Sequence, residues 1–303
     1  MMHLVALDWG TSSLRGALVA ANRSVIEERS FARGVLTVEQ GGFASVFGSL
    51  FGDWMQAGTL CLIAGMAGNQ QGWLEAPYCP CPAGFADIAA RLVWVEKDRI
   101  AIVPGLSIEK QGTPDVMRGE ETQVFGALQL LGLNDARMVL PGTHSKWVTV
   151  TNRRITDFST WMTGEFYALL RQHSILARTL PTFSPGNSAA DEPALDAAAF
   201  EQGVAHALHG SGLLHTAFST RTLSLFKRMP AQALPSYLSG LVIGEELKGQ
   251  TLAPGQTVIV VGAEALAVRY ELALRQLGVS VQRAGSSATW VGLQAIAHTL
   301  EYR

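Results

Sequence analysis

The chain has little of what marks a specialised environment. It carries three cysteines, Cys61, Cys79 and Cys81, in 303 residues. So small and odd a number excludes a disulfide framework and suits a reducing cytoplasm. Cys79 and Cys81 flank a proline, but no second Cys or His pair stands at ligand spacing, which argues against a structural zinc. No apolar run reaches the length of a membrane span. The opening MMHLVALDWG has neither a basic segment nor a cleavage site, so no signal peptide is expected. Charge is sparse at 16%, with 23 Lys and Arg against 25 Asp and Glu and a formal net charge of -2. The cations are scattered, which excludes a basic field for nucleic acid. No Gly-Lys-Ser/Thr occurs, so a Walker-type phosphate loop is excluded as well.

What is present is a hydrophobic fraction of 48% in a chain long enough for two domains or one large one. HLVALDW and LRGALVA read as a hairpin around a small polar turn, and VIEERSFA as a third antiparallel strand. Phe43, Val46, Phe47, Leu50, Phe51 and Trp54 have helical spacing. TLCLIAGMAG and IAIVPGL read as buried strands. GEETQVFGALQLLGL reads as a helix with Val124, Phe125, Leu128 and Leu131 on one face and acidic residues in its first turn. The pattern then begins again. ARMVLPGTHSKWVTVTNRRITDF repeats strand, Gly-Thr-x-Ser turn, strand, Asn/Arg turn and strand, with Pro141 where the first copy has Asp8-Trp9. This architectural repeat predicts two like α/β domains, 1–133 and 134–303, with a boundary near Leu133–Asp135. Residues 181–200, rich in Pro, Ser, Asp and Ala, read as a loop leading into a helix. Helices are expected near 196–209, 211–220 and 235–249, followed by strand, glycine turn, helix, strand and a closing amphipathic helix.

A tight Gly/Thr/Ser hairpin offers backbone N–H groups and hydroxyls to phosphate oxygens. Two such hairpins and VIVVGAEALA, a strand that ends in glycine and opens a helix, together suit a nucleotide. Asp8 ends an apolar strand. It is either a turn aspartate that accepts its own loop's N–H groups or a carboxylate that holds Mg2+ through water. Glu120 and Glu121 are either helix-start charges or a general base for a substrate hydroxyl. Arg118, just before them, suits an acidic substrate or the base itself.

ALDWGTSSLR, AGMAGNQQGW, VPGL, VMRGEETQVFGA, LPGTHSKWV, DFSTWMTGE, YLSGLVIGEEL and VVGAEALAVRY, in this order from residue 6 to about 270, resemble the 2-dehydro-3-deoxygalactonokinase family. MRGEETQ and PGTHSKW are the most specific blocks. The resemblance implies two ribonuclease-H-like (actin-like ATPase) domains around a nucleotide cleft. It implies ATP, Mg2+ and phosphorylation of 2-dehydro-3-deoxy-D-galactonate to its 6-phosphate, with no nucleic-acid or membrane partner; a homodimer is left open. By the same resemblance, Asp8 stands on the Mg2+ side, with Gly10, Thr11, Ser12 and Arg15 at phosphate. Gly142 and Thr143 form the second phosphate hairpin, and Lys146 faces the transferring group or the substrate. Gly262 and Ala263 meet the adenosine, and Met66, Asn69 and Trp73 line the sugar pocket. Glu120 stands where related carbohydrate kinases carry a Gly-Asp base. That departure keeps Glu121 as its competitor. Another sugar or sugar-acid kinase, and a non-catalytic actin-like nucleotide-binding protein, are the alternative readings.

Overall fold

The computed structural model describes residues 3–22, 24–181 and 194–300. Most of the expected 181–200 loop, residues 182–193, lies outside them. Strands β1 (Leu4–Trp9), β2 (Leu14–Val19) and β3 (Val25–Phe31) form the expected antiparallel run. After α1 (Phe43–Phe51), β4 (Leu60–Gly65) pairs parallel with β1. β5 (Cys79–Pro80) and α2 (Phe85–Ala89) precede β6 (Val93–Glu96) and β7 (Ile100–Ile102). β8 (Leu106–Lys110) and β9 (Thr113–Met117) lead to α3 (Glu120–Leu131). The first sheet has the order β3-β2-β1-β4-β7-β6, and a small sheet has β5-β8-β9.

The second half runs β10 (Ala136–Leu140), β11 (Ser145–Thr151), β12 (Arg154–Trp161), α4 (Thr163–His173), α5 (Ala197–His209), α6 (Leu213–Thr216), α7 (Ser219–Leu225) and α8 (Leu234–Lys248). It closes with β13 (Thr257–Val261), α9 (Glu264–Gln276), β14 (Ser280–Ala284) and α10 (Ala288–Leu300). Its sheet has the order β12-β11-β10-β13-β14. Each half therefore places its third, second and first strands side by side, followed by three later strands in the first half and two in the second. The repeat expected from sequence is present as strand order.

The chain's contacts group into two compact units, one of residues 1–138, 147–160 and 284–303 and the other of 139–146 and 161–283. This grouping is not a single cut near residue 133. α10 joins the first unit because it packs lengthwise on α3 at backbone distance. A Cβ on Gly126 would stand 1.7 Å from the Ala288 carbonyl oxygen, and one on Gly292 would stand 1.8 Å from that of Thr122. In the second unit α8 is buried on nearly all sides and meets α5 in the same way, through Gly203 and Gly240.

Strand alternation decides what each face of β1 does. Val5, Leu7 and Trp9 enter an aromatic core with Phe43, Phe47, Phe51 and Trp54, in which Trp9 meets Phe43 edge-on at 5.3 Å. Leu4, Ala6 and Asp8 point to the opposite face of the strand, and α10 packs against β1.

The helix contact yields a stability test. Gly126→Ala should cost about 1–3 kcal/mol because α10's backbone cannot move aside for a methyl. Gly48→Ala, with nothing within 4 Å in α1, should instead gain about 0.5–1 kcal/mol. Urea unfolding of the two variants should shift the midpoint in opposite directions.

Candidate active site

In the first unit the β1–β2 turn is closed by the Gly10 N–H, which donates to the Ser13 carbonyl at 2.9 Å. Thr11, Ser12 and Ser13 are exposed. The turn is strapped from one side, as Val35 and Leu36 N–H groups donate to the Gly10 and Thr11 carbonyls and Trp9 Nε1 donates to Arg33 O. With those carbonyls occupied, the tip presents small hydroxyl side chains to solvent.

Asp8 lies opposite Arg15 across the β1–β2 ladder, and Arg15 donates to Asp8 Oδ2 at 2.5 Å. The Asp8 side chain is 18% exposed, and its Oδ1 accepts no hydrogen bond among the described residues. The Arg15 guanidinium stands 5.7 Å from the centre of the Trp290 ring on α10. The strand-end carboxylate is thus paired on one oxygen and open on the other.

Gly65, at the end of β4, has φ of 88°, and Gly119, before α3, has φ of 105°. Both are in the region that favours glycine. A Cβ on Gly65 would lie 3.2 Å from Asp8 Oδ1, and a Cβ on Gly119 would lie 3.3 Å from Gly65 Cα. One glycine-to-glycine contact therefore separates the Asp8 carboxylate from the N-terminus of α3.

At that terminus both glutamates fold back. Glu120 Oε2 accepts the Arg118 N–H at 2.9 Å, and Glu121 Oε2 accepts the Gly119 N–H at 2.7 Å. Their surroundings differ. Glu120 is partly exposed, whereas Glu121 is 0% exposed with its Oε1 unpartnered. Burial, helped by the neighbouring Glu120 charge, pushes the Glu121 carboxyl up to about 8. Only Glu120 can meet a dissolved substrate.

Arg118 is partly buried, with much of its guanidinium turned inward. Its guanidinium lies 4.3 Å from the centre of the Tyr78 ring, Nη2 donates to Ala76 O at 2.8 Å, and Nε and Nη1 are buried without partners. Gly68 leaves it room, since a Cβ there would lie 2.6 Å from Nη1. Arg118 thus holds the 66–76 loop from beneath. Trp73, half-buried, packs on Trp9 and Phe47 at 6.1 and 5.5 Å. Met66 and Asn69 do line a cavity of about 390 Å3, together with Thr11, Gln40, Gln70 and Gln71.

The second unit holds the other expected residues. Gly142 is half-buried, and Thr143 and His144 are exposed. Lys146 is buried and its ammonium donates to the His144 carbonyl at 3.0 Å, so it braces its own hairpin. His144 Nε2 meets Glu165 Oε2 at 2.5 Å, and the Glu165 N–H donates to Thr143 O. A Cβ on Gly262 would touch Pro141, 3.8 Å from its carbonyl oxygen, and Ala263 stands at the N-cap of α9. The hairpin and the start of α9 are therefore neighbours. His144 and Glu165 went unassigned from sequence, although both fall within the conspicuous blocks PGTHSKW and DFSTWMTGE.

Two repeated strand-hairpin sheets with a glycine-opened helix define the ribonuclease-H-like, actin-like ATPase class. A solved activator of 2-hydroxyisocaproyl-CoA dehydratase from Clostridium difficile, with bound ADPNP, shares this fold at a TM-score of 0.51 and 10% identity, over 99% of this chain and 97% of that one. Within the class the chain belongs to the 2-keto-3-deoxy-galactonokinase family, whose model it matches over residues 8–296. It is 34% identical to the 2-dehydro-3-deoxygalactonokinase of Escherichia coli (strain K12) over 299 residues, 98% of each chain. It is 36% identical to a Sinorhizobium meliloti protein assigned as a 2-dehydro-3-deoxygalactonokinase, whose crystal structure matches at a TM-score of 0.85 over 99% of both chains.

The buried glutamate gives a pH test. In the unfolded chain Glu121 loses its proton near its ordinary 4.5, and in the fold near 8. The folded state binds more protons between those values, so this residue's contribution falls as pH rises through that window. Relative to Glu121→Gln, the wild type should lose on the order of a few kcal/mol between pH 4.5 and 8 in urea unfolding. Parallel pH profiles would show an ionised Glu121 in the fold.

Proposed function

We propose that this chain transfers the γ-phosphoryl group of ATP to the terminal hydroxyl of 2-dehydro-3-deoxy-D-galactonate, giving the 6-phosphate and ADP in the cytoplasm. The observation that carries this reading is the glycine contact between Asp8 and the α3 terminus, which sets the partly exposed Glu120 beside the first phosphate hairpin. The family match over residues 8–296 supports the choice of reaction.

Phosphoryl transfer asks mainly for positioning and for charge that absorbs the developing negative oxygens. The cavity lined by Met66, Asn69 and three glutamines is rich in amide donors and acceptors, which suits a polyhydroxy acid. Glu120, oriented by the Arg118 N–H, accepts the proton of the terminal hydroxyl. The freed oxygen attacks the γ-phosphorus, the bond to the bridging oxygen breaks, and ADP leaves. The Thr11 and Ser12 hydroxyls and the Arg15 guanidinium meet phosphate oxygens from the first hairpin, and Gly142 and Thr143 do so from the second. Gly262 and Ala263 leave backbone room for the adenosine. Arg118 acts through the loop and the base it orients.

The donor chemistry at Asp8 fits Mg2+. A single carboxylate oxygen without a hydrogen-bond partner is what a largely hydrated ion uses. Bound there, Mg2+ would neutralise charge on the nucleotide's phosphates.

Glu120→Gln should lower kcat by roughly 10²–10⁴-fold in a coupled ADP-release assay while ATP still binds. Glu121→Gln should retain turnover. The reverse pattern would transfer the base to Glu121, and release of ADP without any sugar acid would point to a hydrolase.

A further inference from the structure

One buried acid of the second unit has no part in the steps above. Glu246, near the end of α8, is 2% exposed. Its Oε1 accepts from Ser145 Oγ at 2.9 Å, and its Oε2 accepts from Tyr270 Oη at 2.7 Å and from Thr163 Oγ1. A carboxylate this deep is costly unless its oxygens are met, and three hydroxyl donors meet them here. Burial and the Glu246 charge hold the Tyr270 hydroxyl's pKa well above its ordinary value, so it remains a donor.

The three donors come from three elements, and each adjoins a segment expected at the nucleotide. Ser145 ends the second hairpin and opens β11. Thr163 opens α4, and Gly164 after it lies directly under the hairpin. A Cβ on Gly164 would stand 2.5 Å from Gly142 O and 2.8 Å from Thr143 Cα. Tyr270 sits on α9, the helix that begins just after Gly262 and Ala263. Gly142, Thr163, Gly164 and Tyr270 also line one cavity of about 110 Å3. One carboxylate thus joins the hairpin, its support and the helix that follows the adenosine turn.

We infer that Glu246 is a positioning residue for the nucleotide, fixing the Gly142–Thr143 hairpin against α4 and α9 through Ser145, Thr163 and Tyr270. The inference rests on the kinase reading for its substrate and on the geometry of the second unit for its mechanism. Small displacements of groups that bind phosphate are costly to binding and transfer.

The test uses Glu246→Gln, Ser145→Ala and the double variant, with separate KM values for ATP and for the sugar acid. Each single variant should raise the ATP KM about 10-fold and leave the sugar-acid KM within about two-fold. The double variant should be no worse than either single, because both cut the same link. Folded variants with wild-type ATP KM, or effects that simply multiply in the double variant, would overturn the inference. If Glu246→Gln does not fold, Ser145→Ala, which removes one hydroxyl, carries the same test. If the wild type releases no ADP with sugar acid, the kinase reading fails, and calorimetric titration with ADP reads the inference alone. About 10-fold weaker ADP binding by the folded variants then supports it, and unchanged binding overturns it.

Discussion

The close approach of Gly119 to Gly65 governs the first unit. Both residues hold positive φ, and neither has room for a side chain. A Cβ on Gly119 would press on the Gly65 backbone at 3.3 Å, and one on Gly65 would meet the Trp9 carbonyl oxygen on β1 at 2.8 Å. With both absent, the helix terminus bearing Glu120 comes to the hairpin bearing Asp8. The same economy continues along α3, where Gly126 and Gly292 let α10 lie against its backbone. α10 in turn places Trp290 beside Arg15, the cation that balances Asp8. Backbone contacts, which are stiffer than contacts between long side chains, thus set the elements that carry Glu120, Asp8 and Arg15.

The two hairpins solve their electrostatics differently. The first carries its carboxylate in the strand and pairs it directly with Arg15. The second has Pro141 at the equivalent place and no acid of its own there. A carboxylate comes instead from Glu246 on α8 and accepts from three hydroxyls. Lys146 folds back on the His144 carbonyl.

Much of this was legible in the sequence. The two Gly-Thr-x-Ser turns between apolar runs gave the hairpins and the repeat, and the strand order bears out both. The start of α3 was legible from its acidic first turn. Which glutamate faces inward was not, because α3 is buried on most of its circumference and adjacent residues compete for the same terminus. The packing of Arg118 was not legible, because Tyr78 and Gly68, which it touches, lie far from it in the chain. Trp73 falls in a pocket-like block, yet the aromatic core beneath β1 takes it. The membership of α10 in the first unit depends on small residues, Gly126 and Gly292, that carry no pattern in a single sequence. No helix among the described residues is long and apolar enough to cross a membrane, in line with the absence of long apolar runs.

Transfer to a sugar-acid hydroxyl at a centre built around Glu120 leaves a product that hydrolysis cannot give. Phosphorus NMR of the purified chain with ATP, Mg2+ and 2-dehydro-3-deoxy-D-galactonate tests it most directly. One new phosphomonoester, coupled to the protons of the terminal carbon and formed in step with ADP, is expected. ADP appearing only with inorganic phosphate, or a phosphoester at another carbon, would contradict it.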